Sequence, residues 1–256
     1  MSIAIALDGP AGAGKSSIAK RVAKALDCIY VDTGALYRTI GLSATRNSVA
    51  PEDENAVKNL LSKITVDLTF NDKGEQIVLL DNEDVSGLIR TPEASMMASK
   101  ISAVPIVRAY LLDLQRNMAK THDVIMDGRD IGTVVLPNAE VKIFLTAAPE
   151  ARAERRFKEL QEKGDKSTYD EVLQDIIQRD YNDTHREIAP LKKAEDAVEV
   201  DSTELTLEES VEAIYKVITD KTKKKERKIK EIMPVRPVKK EHRLGHFHMF
   251  WYTVLR

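Results

Sequence analysis

Gly9-Pro10-Ala11-Gly12-Ala13-Gly14-Lys15-Ser16 decides how this chain is read; Ser17 follows it directly. The stretch is G-x-x-x-x-G-K-[ST] without a gap. Residues 3–8 before it are an apolar run, typical of a strand buried on both faces. After it, Ile18, Val22, Ala25 and Leu26 return on one face of a helix beginning at Lys15. Strand, glycine-rich turn and helix together give the pattern its physical meaning. Glycines let the backbone curl so that successive N–H groups point inward at an anion, and the helix N-terminus adds its positive end. Gly9 to Ser17 is therefore a candidate cradle for the phosphates of ATP. Lys15 is placed to reach the β- and γ-phosphates, and the Ser16 hydroxyl to meet Mg²⁺.

Outward from the loop, strands alternate with helices. Residues 29–32, 124–127, 141–146 and 197–201 read as further short buried strands. Residues 34–47, 51–63, 105–119, 149–163, 167–184 and 207–219 read as helices, and Thr91-Pro92-Glu93 opens another. This order predicts an α/β fold with a parallel sheet and helices on both faces. One segment breaks the alternation. Ile64, Val66, Leu68 and Phe70 face one side, turn residues follow at 71–74, and residues 76–80 resume a strand. That is a hairpin, a small β insertion among helices.

The 256 residues suit one domain with small insertions. One cysteine, Cys28, excludes an intrachain disulfide and fits a reducing compartment, so a cytoplasmic location is expected. The N-terminus has no basic region before its apolar run, and no run of 18 apolar residues exists to span a membrane. The net charge of −2 hides an asymmetry. From Lys221 onward there are 12 basic and 3 acidic residues; the rest has 27 basic and 38 acidic. An acidic body is a poor nucleic-acid surface, so no nucleic-acid partner is expected. Phosphate must be met by a few cations focused in one cleft. No Asn-Lys-x-Asp guanine-reading motif is present, which argues against a GTPase. The five histidines form no convincing ligand set with Cys28, so no structural zinc is expected.

Further segments narrow the class: Asp32-Thr33-Gly34-Ala35-Leu36-Tyr37-Arg38, Glu83-Asp84-Val85-Ser86-Gly87-Leu88-Ile89-Arg90, and Asp127-Gly128-Arg129-Asp130-Ile131-Gly132-Thr133-Val134-Val135. Val104–Arg108, Lys142-Ile143-Phe144-Leu145, Arg179-Asp180 through Arg186, and Ala189-Pro190-Leu191 complete the set. With the loop and the insertion, they resemble the bacterial cytidylate kinases over roughly residues 2–220. The resemblance implies a P-loop nucleoside monophosphate kinase fold with a five-stranded parallel sheet, a β-rich acceptor-binding insertion and a helical lid. It divides residues 1–221 into a core (1–32, 120–148 and 190–221), an acceptor region near 33–119 with the insertion at 62–90, and a lid near 149–168. The implied reaction is ATP-dependent phosphorylation of CMP or dCMP by a monomer using Mg²⁺. A kinase of another acceptor such as UMP, AMP or shikimate, and a nucleotide-dependent tethering protein, are the competing readings.

By the same resemblance, Thr33, Arg38, Ser99, Arg108, Arg129, Asp130, Arg179, Asp183 and Arg186 line the CMP site. The roles are chemically sensible. Arg38, Arg129 and Arg186 can clamp a dianionic phosphate with their guanidinium forks. Asp130 can accept from the cytosine N4 amino group, where uracil offers only a carbonyl. Arg108 and Ser99 complete the base contacts, and Arg179 and Asp183 touch the sugar. A blander reading has Asp130 serving as a cap or pairing with Arg129. Arg152, Arg155 and Arg156 fall in the lid, where they would steady charge on the transferring phosphoryl. With Lys15 and Arg129 they are the candidate catalytic residues, while Asp127 is expected to hold a Mg²⁺-bound water. The basic segment 222–256 ends His246-Phe247-His248-Met249-Phe250-Trp251-Tyr252 and lies outside the resemblance. It reads as a disordered extension, a weak lipid-contacting segment, or the joint of a truncated fusion.

Overall fold

The computed structural model describes residues 2–72 and 74–222. The readings placed on the basic tail fall outside the described residues. In chain order the elements are β1 (Ala4–Asp8), α1 (Lys15–Leu26), β2 (Ile29–Asp32), α2 (Thr33–Arg46), α3 (Glu54–Leu61), β3 (Val66–Phe70), β4 (Gln76–Leu80) and β5 (Glu83–Asp84). Then follow α4 (Pro92–Ile101), α5 (Pro105–Thr121), β6 (Val124–Gly128), a π-helical turn (Ile131–Val135), β7 (Val141–Thr146), α6 (Pro149–Glu162), α7 (Tyr169–His185), β8 (Val198–Asp201) and α8 (Leu207–Thr222).

Five strands form a wholly parallel sheet in the order β2-β6-β1-β7-β8. The alternation of side chains along β1 divides the core in two. Ile5 and Leu7 pack with Ile18, Val22, Ile214 and Ile218 under α1 and α8. Ala6 faces the other layer, with Leu36 and Ile40 of α2, Leu68 and Val78 of the insertion, and Leu111 of α5. Both layers are fully desolvated at their centres, and each such Ile or Leu side chain stabilises the fold by about 1.5–3 kcal/mol. A third, smaller cluster of Ala153, Val172 and Ile176 joins α6 to α7.

The hairpin stands as a three-stranded antiparallel sheet, with Leu68 opposite Val78. Its short third strand, β5, and the π turn are additions to the sequence reading. Helix starts also differ from it. Glu54 rather than Pro51 opens α3, because the Asp53 carboxylate accepts from the N–H of Ala56 at 2.9 Å. Tyr169 rather than Ser167 opens α7, because Thr168 and Glu171 form a capping box there. The parallel topology puts the C-terminal ends of β1, β2 and β6 side by side, with Asp127 of β6 in register with both Leu7 and Asp32. That edge is where an open α/β sheet binds ligands.

Candidate active site

At this edge β1 runs into the glycine loop. Gly9 passes so close to β7 that a Cβ on it would lie 2.0 Å from the Leu145 carbonyl oxygen, so only glycine fits. Gly14 is the N-cap of α1, whose first turn carries no acidic residue to cancel its positive end. Lys15 is buried, and its Nζ donates to the carbonyls of Gly9 and Pro10 at 2.7 Å each. Burial, then the charge of Arg129, lowers its pKa to about 7. Ser16 Oγ donates to Asp127 Oδ2 at 2.9 Å, and the Tyr30 hydroxyl donates to Oδ1 at 3.1 Å. Burial, then nearby Asp32, pushes the Asp127 carboxyl up to about 6. These are hard oxygen donors beside a phosphate loop, the donor chemistry that suits Mg²⁺ shared with a nucleotide.

From Lys15 and Ser16 a cleft of about 420 Å³ continues to Arg108, Asp130 and Arg186. Seven basic and five acidic side chains line it, an excess of positive charge set in an acidic body. Each predicted acceptor residue lines this cleft. Ser99 reaches it from α4. Thr33 begins α2, and its Oγ1 donates to the Asp127 carbonyl at 2.8 Å. Arg38 donates to Asp32 Oδ2 at 2.7 Å while Asp32 Oδ1 caps α2 through Ala35. Arg108, buried on α5, donates to the Ser102 carbonyl at 3.2 Å and pairs with Asp130. Arg186 meets the other Asp130 oxygen at 3.3 Å and donates from Nε to the Ala189 carbonyl at 2.6 Å. Arg129 Nε donates to Asp183 Oδ2 at 2.7 Å. Asp130 therefore pairs with Arg108 and Arg186, not with Arg129.

The electrostatics follow from these pairs. Burial raises the Asp130 pKa, with Arg108 pulling against it. For Asp183, burial pushes the carboxyl up, but the charge and hydrogen bond of Arg129 together with the charges of Arg186 and Arg179 outweigh it, and the carboxyl is held low. Burial, then Arg129, lowers the pKa of half-buried Arg179 on α7. A phosphate dianion would relieve these crowded cations.

The three arginines expected in a lid are not brought to one place. Arg156 lines the cleft and pairs with Glu159 at 3.1 Å. Arg152 is buried and donates to the carbonyls of Ala147 and Ala11 at 2.8 Å each, and to both oxygens of Asp180 at 3.0 and 2.5 Å. It staples α6 and α7 to the glycine loop. Arg155 lies about 100° around the helix from Arg156 and donates to the Ser202 carbonyl at 2.5 Å and to those of Thr203 and Leu205 at 3.3 Å. Neither Arg152 nor Arg155 is brought to the cleft. Sequence reasoning also missed Tyr37, whose ring lies 5.6 Å under the Arg108 guanidinium, and Asp180, the partner of Arg152. Both stood within the matched segments, and neither carried a signal of its own.

A glycine loop on a parallel sheet, its lysine and a separate arginine-lined cleft define the class: a P-loop phosphotransferase. A family model described as cytidylate kinase matches residues 5–220. A cytidylate kinase of Carboxydothermus hydrogenoformans is 51% identical over 214 residues, covering 84% of this chain and 96% of that protein. One from Lactobacillus johnsonii is 52% identical over 219 residues, covering 86% and 95%. The chain belongs to the cytidylate kinase family. Among the described residues no helix is long and apolar enough to cross a membrane.

Proposed function

We propose that this protein transfers the γ-phosphoryl group of ATP to CMP or dCMP, giving ADP and CDP or dCDP. An acceptor phosphate oxygen bonds to the γ-phosphorus as the bond to the β,γ-bridging oxygen breaks, and that oxygen leaves with ADP. No general base is needed, because the second pKa of a phosphate monoester is about 6 and the nucleophile is already ionised. What remains is positioning and charge stabilisation.

Gly9 to Ser17 hold the triphosphate, and Lys15 turns from the carbonyls of Gly9 and Pro10 to the β- and γ-phosphates. Ser16 and Asp127, the latter through water, would hold Mg²⁺. When bound, that ion neutralises phosphate charge and orients the oxygens. Ser16 stands in the first turn of the helix after the loop and bonds to Asp127 at 2.9 Å, a placement that favours an ion shared with ATP. Arg38, Arg129 and Arg186 clamp the acceptor phosphate. Asp130 and Arg108, with Ser99 near, take the cytosine; each Asp130 oxygen keeps a second lone pair for N4–H. Thr33, Arg179 and Asp183 complete the nucleotide site. Arg156 is the lid arginine that meets the transferring phosphoryl. The acceptor region is α2 through α5, and the lid is α6 with the segment after it.

The observation that carries this reading is the continuous cleft from Lys15 to the Arg108–Asp130–Arg186 cluster. A coupled assay of ADP release, with ATP, Mg²⁺ and each of CMP, dCMP, UMP and AMP, tests it. Turnover greatest with CMP or dCMP is expected. Turnover with UMP or AMP alone sinks the acceptor assignment, and none with any acceptor sinks the reaction.

A further inference from the structure

The turn that carries Asp130 is capped from outside itself. Asp130 stands at its N-cap, yet the Asp130 carboxylate makes no capping bond. An N-cap aspartate ordinarily accepts from the N–H two or three residues on. Here Asp8 takes that place: Oδ1 accepts from the N–H of Ile131 and Oδ2 from that of Gly132, both at 2.7 Å. The strand pairing explains the reach, since Asp8 lies opposite Gly128 at the ends of β1 and β6. Gly132 suits the approach. A Cβ on it would lie 3.3 Å from Asp8 Oδ2 and 3.2 Å from Lys142 Cδ. At the far end of the turn, Arg116 of α5 donates from Nε to the Val135 carbonyl at 3.0 Å and from Nη2 to that of Val134 at 3.1 Å.

We propose that Asp8 is a positioning residue for acceptor choice. It is a surrogate cap that satisfies the turn and thereby leaves Asp130 in the cleft, with Arg116 holding the other end. This rests on the reading of Asp130 as a base contact. Without the Asp8 oxygens, two buried N–H groups lose their acceptor. The carboxylate best placed to take them is that of Asp130, which would then leave Arg108 and Arg186. Because Asp8 directly precedes Gly9, one side chain ties the first residue of the phosphate loop to the turn that reads the base.

The test is a set of steady-state measurements on the full chain, with kcat and KM for CMP, UMP and ATP. The variants are Asp130→Asn, Asp8→Asn, the double variant, and Arg116→Gln. Asp130→Asn is expected to lose the preference for CMP over UMP. Asp8→Asn should lose roughly tenfold of that preference, as one charged hydrogen-bonding partner is removed. The loss should appear in KM for CMP, while KM for ATP moves less than about threefold, because the Asp8 oxygens bond to the turn and not to the loop. The double variant should be no worse than Asp130→Asn alone, since both act through one contact. A lost preference in Asp130→Asn with an unchanged one in Asp8→Asn overturns the surrogate cap and leaves the base reader standing. So does full additivity in the double variant. An unchanged preference in Asp130→Asn removes the base reader, and the proposal with it. Should Asp8→Asn not fold, Arg116→Gln decides: a lowered preference supports the clamp, and an unchanged one overturns it.

Discussion

At one end of the cleft Lys15 is held by the carbonyls of Gly9 and Pro10, six and five residues away along the chain. At the other, Asp130 is held by Arg108 and Arg186, separated from it by 22 and 56 residues. The first end is mostly backbone, bent by glycine and fixed by the join of one strand to one helix. The second is almost wholly side chain, gathered from α2, α4, α5, the turn after β6, and α7. The first, on the proposed reading, would meet phosphate with backbone N–H groups at the N-terminus of α1. The second carries arginines already paired with aspartates, Arg38 with Asp32 and Arg129 with Asp183. Pairing is what lets so many cations share a small cleft before a phosphate arrives. The loop end should therefore fail all at once, and the acceptor end by degrees.

Lys15→Met tests the first half of that contrast. It removes the one cation of the loop from a buried site, and kcat should fall by about 10³-fold or more, as for losing a preorganised group at developing charge. Stopped-flow or coupled measurement of ADP release reads this. A fall below tenfold makes the loop a binding element only. Arg129→Ala tests the second half. The acceptor phosphate loses one fork and Asp183 is left without its partner, so kcat/KM for CMP should fall roughly 100-fold through charged hydrogen bonds lost. KM for ATP should move much less. Equal damage to both substrates would erase the distinction between the two ends.

A smaller effect separates the lid arginines. Arg156→Ala should lower kcat roughly tenfold, as for a weakened electrostatic contact at the transferring group. Arg155→Ala, whose guanidinium serves the carbonyls after β8, should leave kcat within about twofold and show itself in thermal unfolding instead, as loss of a buried hydrogen-bonding partner does. The reverse order would mean that α6 turns its other face to the cleft during turnover.

The same contrast explains what the sequence made legible. The loop could be read because its eight residues are contiguous and each has a backbone reason. The sheet could be read because buried parallel strands are short apolar runs, and the hairpin because Ile64 to Phe70 alternate. The acceptor residues could not be assembled from periodicity or spacing; only likeness to a family gathered Arg38, Arg108 and Arg186 into one site. Partner choice was harder still. Asp130 with Arg108 rather than Arg129, and Arg152 with Asp180 and the Ala11 carbonyl rather than with phosphate, depend on how distant elements pack. The π turn left no pattern at all, because its first N–H groups are satisfied by Asp8 from over 120 residues away. Local propensity is silent about a cap supplied by another strand.

Asp8 also yields the smallest effect, and the one that says most about why the two ends are joined. Burial pushes its carboxyl up to about 6 from 3.8, the backbone bonds from Gly132 and Ile131 opposing. A carboxyl raised on folding stabilises the native state below its unfolded pKa, and that contribution is lost as pH rises through the folded value. Between pH 5 and pH 7 the ionisation of Asp8 should therefore cost the fold about 1 kcal/mol, which Asp8→Asn, having no proton to lose, escapes. Urea unfolding of both proteins at the two pH values reads the difference: the deficit of Asp8→Asn should shrink by that amount at pH 7. A deficit that is constant, or that grows at pH 7, would mean the carboxylate is not desolvated as the structure has it. If it shrinks, the charge at neutral pH weakens the fold it sits in, and stability is not the reason for it. The reason is that an ionised carboxylate can accept both N–H groups of the turn at once, and a neutral acid spends one of its oxygens as a donor.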